Sequence, residues 1–209
     1  MAERHIITND IISRNEQGCF YDGYMGAIGW KGKKSYLSLW GSDLSKAIRA
    51  ELKEHNIKGV YVSCTTYSGG QSLYMTIKAE ECDYVTREEF LTNYKINYNC
   101  VELVFGDGYT DKIDIEKYFT LSREEQDKIQ YLHKNYLYDY YKNQEHLSVD
   151  STSGLETLFT KEFLSKIQKI KTIVSEYNHS ENNGMVDYFY NNFFDWYSVK
   201  RTQKRKEEK

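Results

Sequence analysis

The chain predicts an α+β protein, and three observations point there. Apolar and polar residues alternate with period two on both sides of the pair Gly69-Gly70, the mark of a hairpin with one buried face. Three other stretches keep helical period behind capping residues. Hydrophobic residues make up 40% of 209, enough for a core, and no apolar run approaches the roughly 18 residues of a membrane span. The expected architecture is a single domain over residues 1–199 with an antiparallel or mixed sheet, hairpins packed by several helices, and a basic C-terminal arm at 200–209.

Residues 1–41 hold six of the 13 glycines, with Gly23, Gly26, Gly29 and Gly32 spaced by three around Tyr21, Tyr24 and Trp30. They read as turns joining short strands, and Lys33 to Trp40 is the most strand-like piece. Ser42 is the expected N-cap of a helix to His55, with Leu44, Ala47, Ile48 and Leu52 on the core face. Lys46, Arg49 and Lys53 fall on the other side, as solvated charges or as an anion-binding surface. After the turn 56–59, Val60, Val62 and Cys64 alternate with Tyr61, Ser63 and Thr65, and Leu73, Met75 and Ile77 alternate with Tyr74, Thr76 and Lys78. The preceding helix is expected to cover the apolar side, leaving Tyr61, Tyr74, Thr76 and Lys78 on the opposite face.

Thr86 and Glu89 form a capping box for a helix near 87–94, and 100–115 reads as a second hairpin about Gly106-Asp107-Gly108. Ser122 and Glu125 open a long helix to Lys142, 143–154 reads as a loop, and Phe163 to Tyr177 carries a further helix ending near Asn178. Residues 178–184 read as loop. The segment 185–199 is too aromatic for an exposed tail: strand propensity favours one reading, while Phe189, Phe193 and Trp196 would also line one helical face.

Charge and cysteines narrow the setting. Residues 200–209 hold six Lys/Arg and two Glu, a net +4, so the first 199 residues carry −7. Cys19, Cys64, Cys82 and Cys100 have no C-x-x-C spacing, so neither a zinc site nor a disulfide framework is expected, and no cofactor is implied. The N-terminus lacks a basic region followed by an apolar one, which leads to the expectation of a cytoplasmic protein in a bacterial host, with no membrane partner. Absent proline and 20 tyrosines fit AT-rich codon usage, yet each tyrosine also offers a broad ring and a hydroxyl for an interface.

Within residues 35–90, the pieces Tyr36-Leu37-Ser38-Leu39, Lys46-Ala47-Ile48-Arg49-Ala50-Glu51-Leu52-Lys53, Val60-Tyr61-Val62-Ser63 and Tyr67-Ser68-Gly69-Gly70-Gln71-Ser72-Leu73 follow one another. This order resembles the large polyvalent protein associated domain of type twenty-nine, a family of phage and conjugative-element proteins. Ile77-Lys78-Ala79-Glu80 departs from that family's Trp-x-Asp-Gly-Pro. The resemblance implies a mobile-element protein engaged in counter-defence, and similar stand-alone proteins look like inhibitors of CRISPR-Cas effectors. It transfers no catalytic residue.

The expected partner is therefore a host defence protein or ribonucleoprotein, a Cas effector or its guide RNA. The turn Tyr67, Ser68, Gly69, Gly70 and Gln71 is the first candidate contact, since glycines admit close approach of a phosphate or backbone, with Arg49 and Lys78 as supporting cations and Tyr61 or Tyr74 as stacking platforms. Lys200, Arg201, Lys204 and Arg205 of the basic arm are further candidates for RNA contact. An alternative is a ribonuclease that truncates guide RNA, for which His133 and His146 are the candidate acid and base. Asp107, Asp111, Asp114 and Glu116 match no tight metal loop, and a P-loop, a Rossmann fingerprint and a nucleophile elbow are all missing from the sequence. A transfer or maintenance module that binds nucleic acid is the third reading.

Overall fold

A computed structural model describes residues 18–22, 27–94, 103–104, 110–111, 115–149, 155–183 and 188–202. The fold is α+β, with helices packed on open mixed sheets. The chain divides into two compact units, one of residues 1–78 with 164–198 and one of 79–163 with 199–209.

The first unit contains two sheets. Strands β1 (Gly18–Asp22), β2 (Ala27–Lys31), β8 (His179–Asn183) and β9 (Tyr188–Asn191) pair antiparallel in the order β1-β2-β8-β9. The second sheet is built on the hairpin of β3 (Val60–Tyr67) and β4 (Gly70–Ala79), paired without a break from Val60↔Ile77 to Tyr67↔Gly70. On its other side β4 neighbours β10 (Phe194–Arg201). Gln71 Nε2 reaches the Asn192 carbonyl at 3.1 Å and Thr76 Oγ1 meets Ser198 Oγ at 3.3 Å, so partner numbers rise together and β4 and β10 run parallel.

Helix α1 (Ser42–Glu54) packs on β3, burying Leu44, Ile48 and Leu52. Helix α5 (Lys161–Tyr177) contributes Ile167, Ile170, Ile173 and Val174 to the core and sets Lys171 Nζ 4.8 Å from the centre of the Tyr197 ring. The inner side of the hairpin is Val62, Leu73, Met75 and Ile77, all buried. Period-two alternation thus has its expected outcome, one greasy face under helices and one open face. Lys34, Glu51, Glu176 and Tyr177 form a charged clip at the margin of this core: Lys34 pairs with both carboxylates, and Tyr177 Oη donates to Glu51 Oε2 at 2.6 Å.

The second unit holds α2 (Arg87–Asn93), β5 (Leu103–Val104), β6 (Thr110–Asp111), α3 (Ile115–Thr120), α4 (Arg123–Asn143) and β7 (His146–Ser148). Both predicted capping boxes are present: Thr86 and Glu89 open α2, and Ser122 and Glu125 open α4. Helices α2 and α4 pack through Phe90, whose ring lies 5.4 Å from Tyr138 and 5.1 Å from Tyr94. Arg87 sits over Tyr138 at 4.8 Å and pairs with Asp139. β7 neighbours the last residues of β10.

Five expectations are corrected. Lys33 to Trp40 is not a strand: Ser35–Leu37 forms a 3-10 turn that ends at Ser38 with φ 47, a value no strand accommodates. Gly41 occupies the N-cap place and Ser42 is the first helical residue. The expected loop 143–154 contains β7, and the expected loop 178–184 is largely β8, polar residues made strand by ladders to β2 and β9. The basic arm expected from residue 200 does not begin there, because β10 runs through Arg201. Within 185–199 the described residues form two strands, β9 to Asn191 and β10 from Phe194, as the aromatic content favours, with a bend at Asn192 between them. Most of the second predicted hairpin, with the side chains of Asp107, Asp111, Asp114 and Glu116, lies outside the described residues.

Candidate functional site

The open face of the β3-β4-β10 sheet is the candidate site. Tyr61, Ser63, Thr65 and Tyr67 of β3 alternate away from the core, and across the ladder they stand opposite Thr76, Tyr74, Ser72 and Gly70. On β10 the outward residues are Phe194, Trp196 and Ser198, while Tyr197 turns inward and is buried. The Thr76 to Ser198 hydrogen bond aligns the strands so that Trp196 falls beside Tyr74. Tyr61 is 57% exposed, Tyr74 42%, Phe194 48% and Trp196 52%, and Tyr67 at the hairpin end is also exposed. Lys78 Nζ stands 5.0 Å from the centre of the Tyr61 ring. The result is a broad aromatic and hydroxyl surface in which Lys78 is the one cation among the described face residues of this unit.

The turn that aims this hairpin is more structural than its sequence suggests. Gly69 has φ 81, the left-handed value that the third residue of a type II turn requires, and its Cβ position is open. Gly70 has a different reason: a Cβ there would lie 2.7 Å from the Tyr67 ring, which folds back over the turn. Gln71 does not point at a ligand. It is 2% exposed, accepts from the Gly41 N–H at 2.8 Å and donates to the carbonyls of Leu39 at 3.0 Å and Asn192 at 3.1 Å. Its carboxamide ties three separate segments together, so it cannot also serve as a free phosphate donor. Cys64 Sγ lies 3.4 Å from Gln71 Oε1, and burial raises its thiol pKa above the ordinary value.

The other predicted residues disperse. Arg49 lies on α1, over the opposite side of the sheet from Tyr61 and Tyr74, with its guanidinium on the Ser45 carbonyl at 3.0 Å and Ser45 Oγ at 3.3 Å. There it lines a cavity of about 290 Å³ with Leu52, Lys53, Ile57 and Lys58. Ser68 is exposed in the turn. Lys200 and Arg201 end β10 in ion pairs, Lys200 with Glu145 at 3.1 Å and Arg201 with Glu81 at 3.2 Å, and Arg201 also donates to the Lys142 carbonyl at 2.6 Å. The hydrogen bond from Lys142, opposed by burial and joined by the bond from Arg201, holds the Glu81 carboxyl below its ordinary range. Arg201, Glu81, Glu145 and Cys82 border a cavity of about 680 Å³. Lys204 and Arg205 lie outside the described residues. His133 is buried in α4, and His146 is exposed on β7 beside Glu145.

Phe194 and Trp196 are the face residues that sequence reasoning left unassigned. Their period-two alternation with Asp195 and Tyr197 was available, but only the parallel pairing of β10 with β4 places them beside Tyr74. No match to this chain was found among family models, curated proteins or solved structures.

Proposed function

We propose that this chain is a binding protein whose open sheet face docks on a protein partner, and that the partner is an effector of host defence, a CRISPR-Cas nuclease being the class implied by the mobile-element resemblance. One observation carries the reading: Tyr61, Tyr67, Tyr74, Phe194 and Trp196 are exposed together on one side of the neighbouring strands β3, β4 and β10. Rings of this kind supply large contact area with little rotamer entropy to lose, and they dominate binding hot spots. Covering what they expose would remove on the order of 500 Å² from water, a large part of the roughly 800 Å² that each side of a standard interface contributes. The face is also poor in charge, as interface centres are.

Charge decides between protein and RNA as the direct contact. Affinity for nucleic acid rests on several neutralised phosphates, and the face offers Lys78, already engaged with Tyr61. The aromatic and hydroxyl chemistry suits a protein surface better. The test is an interference assay in cells that carry a defined CRISPR-Cas system and express either this chain or the double variant Tyr74→Ser with Trp196→Ser. The chain should protect the target DNA, the variant should not, and the guide RNA should keep its length in both. A shortened guide RNA would move the reading to a ribonuclease, and protection by the variant would remove this face from the account.

A further inference from the structure

We propose that the chain forms a homodimer by pairing β3 edge to edge with β3 of a second copy, antiparallel and centred on Cys64. Among the described residues the sheet order leaves β3 at an edge. The two-residue turn Ser68-Gly69 makes Tyr67 and Gly70 the closing hydrogen-bonded pair. Pairing then alternates along the ladder, so Tyr61, Ser63 and Thr65 aim their backbone groups at β4, while Val60, Val62, Cys64 and Thr66 aim theirs outward. Such a row of unused donors and acceptors is a template for another strand, and proteins guard it with charges, proline, bulges or short length. β3 has none of these guards: it is eight residues long, Val-Tyr-Val-Ser-Cys-Thr-Thr-Tyr, in unbroken register.

The occupant follows from the strand's own pattern, which reads nearly the same in both directions about Cys64. In an antiparallel pair of identical strands centred there, Tyr61 faces Tyr67 of the second copy, Ser63 faces Thr65, and Val62 faces Thr66. Aromatic meets aromatic and hydroxyl meets hydroxyl on the outer face, the pairings that stabilise adjacent strands. A twofold axis demands this self-complementarity, because each residue must suit its counterpart twice. The dimer would join two open faces into one continuous sheet and double the aromatic row without using Tyr74 or Trp196. It stands independently of the docking role proposed above.

Light scattering of the full-length protein should give twice the chain mass of 24.8 kDa. Ser63→Lys with Thr65→Lys sets lysine against lysine across the axis at two exposed positions and should halve that mass. The glutamate counterparts should do the same, and equal mixing of the two variants should restore the dimer through opposite charges. In the unmodified protein, the amides of Val62, Cys64 and Thr66 should exchange slowly with solvent and become fast on dilution to monomer. A monomeric mass up to the highest soluble concentration, an unchanged dimer in the lysine variant, a mixture that stays monomeric, or fast exchange at all three amides would each overturn the proposal.

Discussion

Thr76 Oγ1 and Ser198 Oγ lie 3.3 Å apart and lock β10 alongside β4 in parallel register. That hydroxyl pair explains why two residues distant in sequence, Tyr74 and Trp196, stand side by side on the open face. A slip of one residue would turn Phe194 and Trp196 into the core and Tyr197 out of it.

Because Tyr74 and Trp196 are exposed, replacing both with serine should leave the fold intact while removing the surface that docks. Unfolding free energy should change by no more than about 0.5 kcal/mol per site, whereas partner binding should fall at least tenfold. Urea unfolding and a binding titration on the same preparations check the two halves together.

Gln71 should behave in the opposite way. Gln71→Ala strands the buried Gly41 N–H and takes away the donor that the Leu39 and Asn192 carbonyls share. A loss of about 2–4 kcal/mol is expected from unsatisfied buried groups plus a cavity. Chemical denaturation would measure it, and a stability near that of the parent would show that the carboxamide is not a tie.

The clip of Lys34, Glu51 and Tyr177 sets a pH window. Burial pushes the Glu51 carboxyl up, but hydrogen bonds from Lys34 and Tyr177 outweigh it and hold it below its ordinary 4.5. The unfolded chain therefore binds this proton more tightly, so the contribution is full above pH 4.5 and is lost as pH falls through the lower native value. On the alkaline side, burial pulls Lys34 down, yet its bonds to Glu51 and Glu176 win and raise it above 10.5, while burial and the bond to Glu51 push Tyr177 up to about 12. Those contributions are present below the unfolded values and disappear as pH rises through the native ones. Melting temperatures across pH should show both limbs, and Glu51→Gln should weaken the acid limb. Lys34→Met, which leaves two carboxylates facing each other, should cost about 2 kcal/mol at neutral pH.

The two turn glycines should respond differently to one methyl group. Gly69→Ala meets open space but a positive φ, costing roughly 1 kcal/mol, and Gly69→Asn should be milder. Gly70→Ala must displace the Tyr67 ring and so should alter the open face itself, visible as a change in tyrosine fluorescence or ring chemical shifts.

What could be read from the residues was local. The β3-β4 hairpin, the α1 core residues Leu44, Ile48 and Leu52 and the two capping boxes depend on neighbours a few positions apart, and all appear where expected, while Ala47 is only half-buried. What escaped was set at long range. His179–Asn183 has no strand propensity and becomes β8 because ladders exist on both sides. Gln71 looks like an exposed turn donor until its partners at 39, 41 and 192 are known. Tyr61, Tyr74, Thr76 and Lys78 of the candidate face were legible through alternation and Tyr67 only as part of the turn, whereas Phe194 and Trp196 needed the parallel register, and Arg49 belongs to the other side of the sheet.

The most direct measurement is co-elution of the purified chain with purified CRISPR-Cas effector complexes on a sizing column, with free guide RNA as a parallel arm and the Tyr74→Ser, Trp196→Ser variant alongside. The account predicts a complex between the chain and an effector protein that forms without added RNA and is lost in the variant. A complex that survives in the variant, or one formed only with the free RNA, would contradict it.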